Sequence, residues 1–283
     1  MKLARRFSIV ALAVVVLSNF LPAFAQNHPR LLWQGKTSQC DIDSEDFDAD
    51  AELALKAALL VTKGKEKQLM IMQALCDLYH EQRRFEDERD MILSWIKLAQ
   101  ESDIYSSVKL AAQHLRLSYA LFLLKDFKSA ESMANIALQL FRTSCGDGST
   151  NVALALNNLA WIQMKLEKFS DAETNALQAL AILKQVTGDK SLIYGLVVEN
   201  LATLYSQMEN EKLALHFYRL SFKILRNFFN RDDSILRELG KHIEEEKIAL
   251  EHKASRHLAQ KKGIRKKLAG KEHLQNEGKK NEH

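Results

Sequence analysis

The sequence predicts an all-α protein: an α-solenoid of stacked helical hairpins with a C-terminal capping helix and a basic tail. Three observations predict it. The 283 residues include only 10 Gly and 2 Pro, too few for the many tight turns of a sandwich, a barrel or a doubly wound sheet. Displacing the chain by 42 residues superposes Phe85, Phe127 and Phe169, and likewise Leu75, Leu117, Leu159 and Leu201. Such self-similarity marks units that bury their apolar faces on one another. Within each unit the apolar residues follow the helical period rather than strand alternation, as in Leu154, Leu156, Leu159, Ala160, Ile162 and Met164. The composition, 47% hydrophobic and 27% charged, is that of a folded chain rather than a disordered one.

The elements follow in order. Lys2, Arg5 and Arg6 precede an apolar run from Phe7 to Leu21, then Pro22 and Ala23-Phe24-Ala25. This order of charged, apolar and small residues predicts a signal peptide over residues 1–25, cleaved after Ala25, and hence export to a periplasm or the exterior. The run spans roughly 22 Å as a helix, short of the ~30 Å hydrocarbon core. Residues 26–47 form an acidic extension; Asp41 to Glu52 carries seven acids and no base. Residues 48–64 resemble the second helix of the third unit: Asp50-Ala51-Glu52 matches Asp171-Ala172-Glu173. This segment is expected to be a half-repeat cap. Four units follow, at about 65–105, 106–147, 148–189 and 190–230. Each is expected to be a hairpin, with a small residue after the motif leucine (Cys76, Ser118, Ala160, Ala202) and an alanine in the second helix (Ala130, Ala172, Ala214) where the helices approach closely. Ile235, Leu239, Ile243 and Leu250 form a stripe that predicts a capping helix over 231–252. Residues 253–283 carry ten Lys/Arg against three Glu, a local +7, whereas residues 26–252 carry −6. The tail is expected to be solvated, and partly helical or disordered.

The leucine followed by a small residue, the aromatic at the bend and the alanine at the crossing resemble the tetratricopeptide repeat family. The 42-residue period, with Asn157-Asn158-Leu159-Ala160 and Glu199-Asn200-Leu201-Ala202, is similar to the long repeats of kinesin light chains. The usual repeat has 34 residues, so each helix would be roughly 6 Å longer. The resemblance covers about residues 48–230 and implies a right-handed superhelix. Three positions depart from the pattern. Glu88 stands for the crossing alanine, Trp95 for the second small residue, and Glu211 for the bend phenylalanine of the last unit. The first full unit is therefore expected to be degenerate or to pack differently.

Chemistry-bearing motifs are missing from the sequence. HExxH, GxxxxGK[ST], GxGxxG, GxSxG and CxxC do not occur. Cys145-Gly146-Asp147-Gly148-Ser149 reads as a connection between units. Five of nine histidines lie at or beyond position 242, and His80, His114 and His216 have no ligand-spaced partner in the sequence. No catalytic residue, cofactor or metal is expected. Cys76 is expected in the core. Cys40 and Cys145, in polar segments, are the one pair that an oxidising compartment would offer for a disulfide.

The resemblance implies a concave groove lined by the first helix of each unit, at fixed offsets from the motif leucine. On that basis the groove residues are Gln73, Ala74 and Asp77; Leu115, Arg116 and Tyr119; Asn157, Asn158 and Trp161; and Glu199, Asn200 and Thr203. One turn further on, His80, Phe122, Met164 and Ser206 join them. Tyr119 and Trp161 suit apolar anchoring, and the amides of Asn157, Asn158 and Asn200 suit pairing with a peptide backbone. With only Arg116 and Lys165 basic nearby, the family's clamp for acidic C-termini is not reproduced. The function expected is an exported, non-enzymatic scaffold that holds a protein or peptide in this groove. The alternative is surface association, with the tail contacting an anionic membrane or cell-wall polymer. Nucleic acid is not expected as a partner, since the tail lacks stacking aromatics.

Overall fold

The computed structural model describes residues 45–102, 105–230 and 233–280. The expected signal peptide and Cys40, and with it any pairing to Cys145, lie outside them. Ten helices and no strand occur among the described residues. The first is α1 (Glu45–Val61), where the half-repeat was expected. Four hairpins follow: α2 (Lys65–Glu81) with α3 (Phe85–Gln100), α4 (Ser107–Leu123) with α5 (Phe127–Cys145), α6 (Thr150–Lys165) with α7 (Phe169–Val186), and α8 (Leu192–Gln207) with α9 (Glu211–Leu225). The last helix is α10 (Ser234–Lys280). Each helix packs on its neighbours in sequence; beyond that, α4 touches α6 and α6 touches α8, so first helices of adjacent units meet side by side. This is the solenoid that the 42-residue period predicts.

The packing follows the repeated residues. Leu75, Leu117, Leu159 and Leu201 are buried, as are the small residues behind them, Cys76, Ser118, Ala160 and Ala202. Ala130, Ala134 and Ala137 of α5, and Ala172, Ala176 and Ala179 of α7, are buried where second helices cross first helices. A close crossing is at Gly195 of α8, where a Cβ would stand 2.7 Å from Leu225 Cδ2. There Ser221 Oγ of α9 donates to the Gly195 carbonyl at 2.9 Å.

The bends are also periodic. Arg83, Lys125, Glu167 and Glu209, 42 residues apart, all adopt positive φ, between 54° and 64°. After each, the next amide donates back to the helix: Arg84 to Tyr79, Asp126 to Leu121, Lys168 to Gln163 and Asn210 to Tyr205, at 2.9–3.0 Å. This is the left-handed helix end that glycine usually occupies, built here without glycine. Asp126 and Asn210 then cap the second helices, accepting from Ser129 N and Leu213 N. Between units, Gly146 and Gly188 take positive φ, and Ser149 and Ser191 cap the next first helix.

A glutamate early in each of three second-helix elements binds the following unit. Glu52 of α1 accepts from Tyr79 Oη at 3.1 Å and pairs with Arg84. Glu131 pairs with Lys168 at 2.7 Å. Glu173 accepts from Tyr205 Oη at 2.6 Å.

The three departures from the pattern have partners. Glu88, 1% exposed, forms an ion pair with Arg116 of the next unit. Trp95 is buried, and its Nε1 donates to the Leu69 carbonyl at 3.0 Å, filling space that alanine leaves elsewhere. Glu211 pairs with Lys253 of α10 at 2.8 Å. The first unit therefore keeps the hairpin and closes it with larger side chains. On α10, Ile235, Leu236 and Leu239 are buried, while Ile243 and Leu250 are half-buried. The helix runs past residue 252 to Lys280, 47 residues in all, about 70 Å at 1.5 Å per residue.

Candidate functional site: the concave face

First helices of successive units touch one another, and the residues two before, one before and two after each motif leucine recur in register along that row, several of them, such as Asn157, Asn158 and Glu199, buried. At the N-terminal end that face is a polar network. Gln73 Nε2 donates to Asp77 Oδ1 at 3.0 Å. Arg116 bridges units, with Nη1 on Asp77 and Nε on Glu88 Oε1 at 2.7 Å. His80 Nδ1 lies 2.8 Å from Glu88 Oε2. Burial opposes the charge on Arg116, but Asp77 and Glu88 outweigh it and keep the guanidinium protonated. Arg116 and Asp77, both expected to meet a ligand, thus satisfy each other.

Further along the face is aromatic. The Tyr119 ring lies 5.8 Å from His80, and burial, helped by the charge of Glu88, pushes its hydroxyl up to about 12. Trp161 is half-buried, 6.5 Å from Phe122, with Lys165 Nζ 5.9 Å from its ring.

The amides come next. Asn158 is buried and its Nδ2 donates to Ser118 Oγ at 2.7 Å, joining α6 to α4. Asn200 Nδ2 donates to Asn157 Oδ1 at 3.3 Å, joining α8 to α6. Asn157 is 1% exposed, and its own Nδ2 is buried with no hydrogen-bond partner. Thr203 Oγ1 donates to the Glu199 carbonyl and accepts from Tyr218 Oη, both at 3.1 Å.

One recess opens at the junction of α6 and α8. Asn157, Trp161, Met164, Asn200 and Leu204 line it over Ala160 and Ala176, around about 200 Å³ of space open to solvent. Most of that space is open solvent and the enclosed part would hold about one water, so the recess is a shallow notch, far below the ~300–1,000 Å³ of sites that enclose a small ligand. Four of its lining residues are among those expected to face the groove. Leu204, Ala160 and Ala176 were missed; Leu204 lies three positions after its motif leucine, on the side of α8 that the offset rule omits. The chemistry on offer is an indole face, two apolar side chains and the half-buried amide of Asn200. A buried donor left unpaired costs about 1–3 kcal/mol, and Asn157 Nδ2 lies beneath the surface, out of a ligand's reach. Among the described residues no group of three or more His, Cys, Asp or Glu is placed to hold a metal ion.

Fold and face together define a repeat scaffold: paired helices in series, with the first helices forming a continuous surface. Residues 110–185 match the family model for the tetratricopeptide repeat, so that part of the chain carries such repeats. Among solved structures it is similar to BtubC (BKLC) from P. vanneervenii, with 20% identity, a TM-score of 0.62, and coverage of 74% of this chain and 85% of that one. It is also similar to TPR-like repeats of a kinesin-light-chain type from Podosopora anserina (11%, TM-score 0.55, 65% and 87%) and to the apo form of RapI (13%, TM-score 0.58, 74% and 56%). At these identities the likeness is one of fold. No curated protein matches the chain in sequence.

Proposed function

We propose that this protein is an exported, non-enzymatic scaffold that holds an extended peptide segment of a partner protein along its concave face. The tetratricopeptide-repeat fold supports a protein–protein interaction scaffold. The observation that carries the finer reading is the notch at Trp161, where the indole, Met164 and Leu204 meet the half-buried amide of Asn200. An apolar side chain of the peptide lies against the indole, and the peptide backbone next to it pairs with the amide of Asn200. Burial of the anchor supplies most of the affinity, and the amide sets the register. Export rests on the charged, apolar and small-residue order of residues 1–25.

The experiment is selection of binders from a random peptide library displayed against the mature chain. Selected peptides should share one large apolar residue and should lose at least tenfold in affinity on Trp161→Ala, with the helical circular dichroism unchanged. Peptides that bind Trp161→Ala as well as the parent would refute the assignment.

A further inference from the structure

The solvent side of α9 carries a straight row of basic side chains. Lys212, His216, Arg219, Lys223 and Arg226 recur at intervals of four, three, four and three, so they fall on one line along the helix and its cap. The row is roughly 21 Å long at 1.5 Å per residue. All five are exposed, and among the described residues none has an ion-pair partner. Glu211 is the only acid of α9, and Lys253 of α10 takes it at 2.8 Å. Like charges at these spacings weaken a helix slightly, and a cation in the first turn opposes the helix dipole. The row is therefore not explained by the stability of α9. The matching positions of the other second helices are mixed. There α3 sets Glu86 and Asp90 against Lys97, α5 has Lys128 and Arg142 among uncharged residues, and α7 has Lys184 alone.

Beside this row runs an apolar line. Leu213, Phe217 and Leu220 each follow one of the basic residues in sequence, about 100° further round the helix. Leu213 is 37% exposed, while Phe217 and Leu220 are half-buried, Phe217 stacked on Tyr205 with ring centroids 5.4 Å apart. We infer that the outer face of α9 docks on an anionic lipid membrane, with the cations at the headgroups and Leu213 entering just beneath them. A lipid layer meets every member of a straight row, and anionic headgroups attract each cation near them. Cations beside shallow apolar groups suit a helix that lies in the interface rather than across it, and no helix among the described residues is long and apolar enough to cross a membrane. A nucleic acid or other polyanion would meet the same cations but gain nothing from the apolar line. The face belongs to a second helix, not to the first helices proposed to hold a peptide, so the two contacts do not compete. It is also distinct from residues 253–283, whose basic charge is a separate source of attraction.

The test is co-sedimentation of the mature chain with vesicles of phosphatidylcholine, alone or with about 30% phosphatidylglycerol, in about 50 to about 300 mM salt. The parent should bind the anionic vesicles, bind them less as salt rises, and ignore the neutral ones. The combined variant Lys212→Gln, Arg219→Gln, Lys223→Gln, Arg226→Gln should lower the partition coefficient at least about tenfold with the basic tail intact. Leu213→Ser should lower it at least about threefold at the higher salt, where charge is screened. All five side chains are exposed, so circular dichroism should stay unchanged. A parent that leaves anionic vesicles in solution would overturn the inference, including one that binds a labelled oligonucleotide instead. So would a combined variant that binds vesicles as the parent does, because the tail alone would then carry the attraction. An unaltered partition of Leu213→Ser would equally overturn the choice of lipid.

Discussion

Replacing Glu88 by alanine restores the residue that the other units carry at this crossing, yet it should destabilise the protein. The carboxylate is 1% exposed and accepts from Arg116 Nε at 2.7 Å, with His80 Nδ1 at 2.8 Å. Removing it leaves a largely buried guanidinium with Asp77 as its remaining carboxylate. Breaking a fully buried ion pair costs about 3–5 kcal/mol. The Arg116 side chain is 21% exposed and keeps Asp77, so the loss should be smaller, about 2–3 kcal/mol, less a few tenths from the better helix propensity of alanine. Arg116→Leu combined with Glu88→Ala removes the orphaned charge as well, so the double variant should be more stable than the sum of the single losses by at least ~1 kcal/mol. Urea unfolding followed by far-ultraviolet circular dichroism, at constant m-value, measures all three variants. A loss below ~0.5 kcal/mol for Glu88→Ala, or strict additivity in the double variant, would show that the network contributes little, because exposed pairs behave that way.

Three further outcomes are expected. Gly195→Ala should gain ~0.8 kcal/mol of helix propensity and lose more, for a net destabilisation of about 1 kcal/mol in a thermal melt, because the new methyl would stand 2.7 Å from buried Leu225 Cδ2. Glu167→Gly at φ 60° should do the opposite: relief of a left-handed strain of roughly 1–2 kcal/mol exceeds the added chain entropy, leaving a net gain of about 0.5–1 kcal/mol by urea titration. Glu52 is held at about 2 by Arg84, below its ordinary 4.5. Its contribution is therefore complete above about pH 4.5 and is lost as pH falls toward 2; amide exchange should show α1 loosening over that interval, before the internal hairpins, and Glu52→Gln should abolish the dependence.

The fold was legible because packing repeats. Leucine, small residue, phenylalanine and alanine recur at one interval, and each has one structural job, so the hairpins could be placed without a template. The bends were not legible in the same way. Arg83, Lys125, Glu167 and Glu209 carry no compositional mark of positive φ; only their common interval and the helix ends around them impose it. The groove was legible in position but not in pairing. Offsets from the motif leucine put Asn157, Trp161 and Asn200 at one recess. Whether an amide points at solvent or at the adjacent helix depends on helix crossings, and Asn158 is spent on Ser118. Arg116 read as a groove cation, although Glu88, flagged as out of pattern, was its counter-ion.

Apart from the side-by-side first helices, every helix leans on the one before it and the one after. Mechanically such a body is a spring. Small rotations at successive joints add up, so the curvature of the whole changes while no joint opens far, and a pull on the two ends lengthens the array before any hairpin is torn from its neighbours. A partner lying across several joints would stiffen that spring, and its grip would slacken when the ends are drawn apart.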